Sequence, residues 1–413
     1  MNIIQKEIFL DSPLKISEFK FYLLARLSTM LATQMQAVIV GWQIYEITRD
    51  PFSLGLIGLA EAIPSLSISL YAGHLVDRSD RKKIVFFSTV ILLICSAALL
   101  IISANISESL VSNKLYLIYE VIFLSGIARG FLSPANFAFL SQIIPRELLP
   151  KAISWSTTNW QIGVIVGPAI GGLLYGFFGI VTSYSADVFL MLTSIVFLLM
   201  IKKKPLPVFS ETESMKESIK AGVKFVFNNQ FILSVITLDL FAVLFGGATA
   251  LLPVFAAEIL KVGPEGLGYL RAAPAIGAVI LGLIMAKKPL THNAGRNLII
   301  TVFGFGLSIV LFGVSTNFYL SMFALAASGA FDQVSVVIRA LIVQLETPEN
   351  LKGRVSSVES IFIGSSNEIG AFESGTAAKL FGTVPSVIFG GCMTLIVVVL
   401  VALKFPKLRK LKL

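Results

Sequence analysis

The chain has 413 residues, of which 55% are hydrophobic and only 14% charged, and its mean hydropathy is +0.85. An ordinary soluble domain carries roughly 25% charged residues, so a water-soluble enzyme is excluded. At about 20 residues per bilayer crossing, the length has room for roughly ten to twelve spans. The net charge of +9, from 33 Lys and Arg against 24 Asp and Glu, must therefore lie mostly outside the hydrocarbon.

Cys95 and Cys392 fall in apolar runs, and His74 and His292 in polar connections. Neither a disulfide framework nor a metal centre is expected from such a set, and no cofactor is implied. Glu7 and Asp11 precede the first apolar run, so the N-terminus does not read as a cleavable signal and the first span directs insertion.

Hydropathy, punctuated by charge, Pro and Gly, predicts spans at 21–47, 53–76, 84–104, 115–143, 151–177 and 183–201. Six more follow at 230–256, 266–286, 297–314, 319–345, 354–377 and 385–404. Each must be helical, because unpaired backbone groups in lipid cost several kcal/mol. With twelve spans both termini share one side, and the connections and tails there hold 25 of the 33 basic residues. The opposite connections hold Arg49, Lys114, Lys261 and Lys379. Both tails are therefore expected in the cytoplasm, and no nucleic-acid partner is needed to account for the charge.

The polar stretch 202–229 separates an N-terminal half, 1–201, from a C-terminal half, 230–413. Met215, Ile219, Val223 and Phe227 recur every fourth residue beside Lys216, Lys220 and Lys224. That spacing predicts an amphipathic helix, read either as lying on the inner leaflet or as a solvated linker. A shift of 203 residues superposes Pro145 on Pro348, Leu148 on Leu351, Lys151 on Arg354, Gly167 on Gly370 and Gly172 on Gly375. The fold class is thus an all-α membrane protein with twelve helices in two parallel six-helix repeats, an arrangement used by alternating-access carriers.

The connection after span 2 reads GHLVDRSDRKK, from Gly73 to Lys83. It resembles the signature loop of the major facilitator superfamily, although Asp80 stands where that family often has Gly. The resemblance implies that Gly73, Asp77, Arg78 and Arg81 latch a cytoplasmic gate. In span 5, Gly163, Gly167 and Gly171 recur every four residues and line one face, with Pro168 among them, as a packing stripe for another helix. This run resembles the motif of the superfamily's proton-coupled antiporters. Longer stretches, such as SPANFAFLSQIIPRELLPKA and LDLFAVLFGGATALLPVFA, resemble the branch of macrolide-efflux pumps and enterobactin exporters.

An ionisable residue inside a span costs on the order of 2.5–3.5 kcal/mol on insertion scales, so it reads as interior-facing and functional. The 203-residue shift places Arg129 on Asp332 and Gln36 on Asp239. The resemblance puts spans 1, 4, 7 and 10 around a central cavity, and these four positions are candidates for proton coupling there. The other reading is a structural Arg–Asp pair. Asp332 and Arg339 stand seven residues apart on one helix face, which predicts that Arg339 occupies Asp332 and leaves Asp239 as the proton carrier. Glu61 in span 2 and Glu368 and Glu373 in span 11 are further candidates, and Arg26 either joins the cavity or snorkels to the surface. Trp42, Trp155 and Trp160, near Gln34, Gln43, Asn159 and Gln161, suit either a bulky amphiphilic ligand or packing.

No GxxxxGK[ST] loop is present, so ATP is not the expected energy source. The expectation is a secondary carrier rather than an enzyme: a proton-coupled exporter of an amphiphilic molecule such as a siderophore or macrolide. It would sit as a monomer in a bacterial cytoplasmic membrane, with an outer-membrane efflux component as a candidate partner. A lysophospholipid carrier and a transport-dead receptor remain alternatives.

Overall fold

The computed structural model of the chain describes residues 12–104, 111–204, 215–287, 293–348, 351–409 and 411, and every regular element among them is helical. The first five long helices are α1 Ser17–Thr48, α2 Pro51–Arg78, α3 Arg81–Ser103, α4 Lys114–Ile143 and α5 Leu149–Met200. After α6, Met215–Asn228, come α7 Gln230–Phe245, α8 Gly263–Lys287, α9 Ala294–Val314, α10 Phe318–Glu346, α11 Lys352–Phe381 and α12 Thr383–Lys404. Among the described residues, 10 helical stretches are long and apolar enough to cross a membrane. One of them, in α5, is broken at Gly179 (φ 77, ψ 177) into two crossings. Helix α11, with 30 residues, is long enough but carries Glu359, Glu368 and Glu373. The set is consistent with the twelve crossings expected.

Local chemistry sets several boundaries. Asp80 caps α3 by accepting from the Lys83 amide, Asn229 caps α7 through the Phe231 and Ile232 amides, and Asn317 caps α10 through the Leu320 amide. The repeat reappears in these boundaries. Helix α5 begins at Leu149 and α11 at Lys352, which differ by the same 203 residues. The same shift carries Gly179 onto Gly382, and both have positive φ, 77° and 92°. Only glycine turns the chain there without strain, so each half ends its fifth span with the same sharp connection.

The chain forms two compact units. One comprises Met1–Ile39 and Ile63–Ser210, and its core joins Phe19 and Tyr22 of α1 to Val85 of α3, Phe139 of α4 and Leu198 of α5. The other comprises Val40–Ala62 and Glu211–Leu413, with a core of Val235, Leu298, Val334, Ile338 and Val398 from α7, α9, α10 and α12. Lipid tails are as apolar as these side chains, so close packing holds the helices together more than transfer from water does. Glycines permit it: a Cβ on Gly277 of α8 or Gly329 of α10 would overlap the carbonyl oxygen of Ala326 or Pro274 on the facing helix.

The Val40–Ala62 segment of α1 and α2 packs within the second unit. A Cβ on Gly55 would lie 3.1 Å from the Phe372 carbonyl oxygen and 3.2 Å from Gly375 Cα. Nearby, the rings of Phe52 and Phe372 are 5.9 Å apart and Lys379 Nζ lies 3.1 Å from Asp50 Oδ2. In α6, Val226 is fully buried against Ile232, Ile236, Val343, Val355 and Val358. Val223 and Phe227 are exposed beside Lys220 and Lys224, so the helix keeps an apolar, basic outer face. The side chains of Met215, Lys216 and Ile219 lie outside the described ones.

Candidate functional site

Each unit holds one cluster of charged side chains inside its spans. In the second unit, Arg339 of α10 pairs closely with Asp239 of α7 through Nη1 and Oδ1, and its Nη2 stands 3.9 Å from Asp332 Oδ1. The same guanidinium donates through Nε to the Ser335 carbonyl at 3.3 Å, four residues back on its own helix. Glu359 of α11 lies within electrostatic reach of Arg339. Arg339 and Asp239 are buried, whereas the Asp332 side chain is 49% exposed. Asp239, Asp332 and Ser335 border a void of about 10 Å³, the lower limit for one water molecule.

The pairing inferred from helix spacing is present but shared, and Asp332 has the longer contact. Seven residues do place Asp332 and Arg339 on one face, but Asp239 approaches from the neighbouring helix and takes the guanidinium. Asp332 is the more exposed of the two acids and holds the weaker share of Arg339. One cation serves two carboxylates, so the cluster has room for one proton without an unbalanced positive charge.

In the first unit, Gln36 of α1 donates to Asp187 Oδ2 at 3.2 Å and lies 3.4 Å from Ser96 Oγ. Asp187 is fully buried, and its Oδ1 has no hydrogen-bond partner among the described residues. Arg129 of α4 is within electrostatic reach of it. Sequence reasoning missed Asp187, although an acid in the run SYSADVFL stands out by the insertion cost that flagged the other charges. Gln36 and Asp239, equivalent by the repeat, are thus both held by a charged side chain of their own unit. Within its own unit, Arg129 is near Asp187, and Arg339 is shared by Asp239 and Asp332.

Arg26 does not reach along the lipid: its Nη1 donates to Ser156 Oγ of α5. Gly163, Gly167 and Gly171 face α1, where a Cβ on Gly167 would lie 2.7 Å from Gln34 Cβ and 3.1 Å from the Leu31 carbonyl oxygen. One on Gly171 would lie 3.0 Å from Met35 Cα. Pro168 is inside the same helix. Among the aromatic candidates, Trp160 and Gln34 line one cavity of the first unit. Trp42 is buried and donates to Glu46 Oε1 at 2.7 Å, and Asn159 donates to the Leu23 carbonyl. Glu61, Glu368 and Glu373 are part-buried in the second unit or at its edge, with Gly58 of α2 packed on the Glu368 backbone. Tyr45, also absent from the expected set, donates to Glu258 in the π-helical turn Phe255–Ile259.

At the signature loop, Gly73, Asp77 and Arg78 lie outside the described side chains. Arg81 donates to the Ala138 carbonyl at 3.0 Å and lies 3.5 Å from Ser141 Oγ, tying the start of α3 to the end of α4. Asp80, with φ −66°, needs no glycine and serves as the α3 cap instead. Hydrogen bonds to a charged donor contribute about 1.5–3 kcal/mol. Arg81→Ala is therefore expected to speed amide exchange over 138–143, read by hydrogen–deuterium exchange, while the capped first turn of α3 stays protected.

Helices long enough to span a bilayer, two repeats of one pattern and a buried charge cluster in each unit define a polytopic carrier. The family model described as "Transmembrane secretion effector" matches residues 10–412, and the chain belongs to this family of major facilitator superfamily transporters. It is 25% identical over 399 residues to the enterobactin exporter EntS of Shigella flexneri, covering 95% of this chain and 93% of that one. The EntS of Escherichia coli O81 (strain ED1a) is also 25% identical, over 397 residues, with 95% and 93% covered. Among solved structures, a D-xylose-proton symporter superposes with a TM-score of 0.74 at 13% identity, covering 96% of this chain and 99% of that one. A POT family transporter in complex with 5-aminolevulinic acid gives 0.74 at 12%, covering 94% and 96%. These likenesses of shape speak for the fold alone.

Proposed function

We propose that the chain is a proton-coupled secondary exporter of an amphiphilic small molecule, working by alternating access in a bacterial cytoplasmic membrane with both termini inside. The observation that carries this reading is the sharing of Arg339 between Asp239 and Asp332 within a membrane-spanning unit. When Asp332 is protonated, Arg339 is left to Asp239 alone; when it is ionised, the guanidinium is drawn toward α10. A proton thus alters how α7 and α10 are held together, and the state that is stable changes with it. One charge moved across 100 mV is worth about 2.3 kcal/mol, enough to drive such a change. The export direction is supported by the exporters to which the chain is similar.

The test is flux in proteoliposomes with an imposed pH gradient, using enterobactin as the probe because it is the molecule named for those relatives. Proton-driven accumulation is expected, and Asp332→Asn should abolish the dependence on the gradient while leaving downhill exchange. Lysophospholipid movement indifferent to the gradient would mark a lipid carrier instead, and binding without flux would mark a receptor.

A further inference from the structure

A cavity of about 270 Å³ lies within the first unit, bordered by α1, α3, α4 and α5. Its wall holds two guanidinium groups, Arg26 and Arg129, and none of the described lining residues is an acid. Asp187 is not part of that wall, though it lies within electrostatic reach of Arg129. The hydrogen-bond partner of Arg26, Ser156 Oγ, is neutral. Two guanidinium groups facing one cavity set up a positive potential there, which favours an entering anion over a neutral or cationic molecule.

The geometry fits that role. Tyr22 of α1 donates to the Asn136 carbonyl of α4 at 3.1 Å and fixes the register of the two helices at one end of the cavity. From that contact Arg26 is four residues along α1 and Arg129 seven residues along α4. At 1.5 Å per residue these are about 6 Å and 10.5 Å deep, so the guanidinium-bearing positions are staggered by roughly 4–5 Å. Arg129, Ser133 and Asn136 lie on one face of α4, so a hydroxyl and an amide flank the deeper cation, and Gln34 adds a second amide from α1. Trp160, 42% exposed, supplies an aromatic wall. Guanidinium groups grip paired oxygens in two parallel bonds, and an indole face favours a flat apolar body. The volume suits one ring-sized acidic group rather than the whole of a large molecule.

We propose that this cavity recognises the transported molecule by an acidic oxyanion borne on an aromatic or apolar body, with Arg129 as the deep anchor and Arg26 as the outer one. The inference rests on the exporter reading for the word "transported", but not for the binding. It names a charge class: neutral and cationic amphiphiles are poor ligands.

The full-length protein in detergent, titrated with 2-naphthoate and with its neutral isostere 2-naphthamide, decides the matter by quenching of tryptophan fluorescence. Binding of the carboxylate is expected to be at least about tenfold tighter, the effect of one charge-assisted pair. Arg129→Gln and Arg26→Gln should each remove most of that preference without weakening naphthamide, and the Lys variants should keep part of it as point charges. Equal affinity of the unmodified protein for the two probes overturns the proposal, with no variant needed. So does an unchanged preference in both Gln variants. If the anion preference holds while the pH gradient drives no flux, the cavity stands and the proton-coupled reading falls. Flux without preference has the opposite meaning.

Discussion

Arg339→Leu is expected to lower the stability of the protein by about 3–5 kcal/mol, the cost of leaving one member of a buried ion pair behind. Asp239 is the group that would suffer: it is buried, and Arg339 is its close cation. Asp332 would lose its share of the same guanidinium, 3.9 Å away, but its side chain is half exposed and tolerates the loss better. The outcome should be less protein in the membrane and a lower unfolding temperature in mild detergent. Adding Asp239→Leu removes the stranded charge, so the double variant should recover much of the amount and thermal resistance. It should not recover proton-driven flux, because Asp332 can still take up a proton but no guanidinium remains to link that proton to how α7 and α10 are held together. If Arg339→Leu alone matched the parent in both abundance and unfolding temperature, the pair would not be compensating buried charge.

The elements were legible because lipid leaves the chain so few choices. Backbone groups must pair internally, so apolar runs had to be helices. The repeat was legible from Pro145 and Pro348 onward, and Gly179 and Gly382 extend it to a feature of backbone shape that residue matching had passed over. Side-chain partners were not legible, because spacing along one helix reveals only neighbours on that helix. It offered Asp332 to Arg339, while the tighter partner, Asp239, sits on α7. Arg26 could be read as joining the cavity or as reaching the surface, and its bond to Ser156 of α5 was in neither reading. The grouping of Val40–Ala62 with the second unit was equally hidden, since it depends on Gly55 and Gly58 meeting the α11 backbone.

Gly167→Leu is expected to abolish transport while leaving both charge clusters chemically intact. The glycine sits where α5 crosses α1, and even a methyl there would be 2.7 Å from Gln34 Cβ and 3.1 Å from the Leu31 carbonyl oxygen. One of those neighbours is backbone and cannot rotate away, so α5 must move off α1. Overpacking of this kind costs about 1–3 kcal/mol for small additions, and a leucine side chain adds three more carbons to the clash. The displacement has a functional edge, because Gln34 and Trp160, on the two helices concerned, both line the cationic cavity. A graded series separates packing from chemistry: Gly167→Ala should reduce flux per molecule in the membrane, and Gly167→Leu should eliminate it. Gly370, the repeat equivalent in α11, meets Leu244 of α7, with its Cβ position 2.8 Å from that carbonyl oxygen. Gly370→Leu should therefore impair flux as Gly167→Leu does but spare the naphthoate preference, since the helix crossing it disturbs is in the second unit and the cationic cavity is in the first. Loss of that preference in Gly370→Leu, or its survival in Gly167→Leu, would mean that crossing distance in the first unit does not shape the cavity.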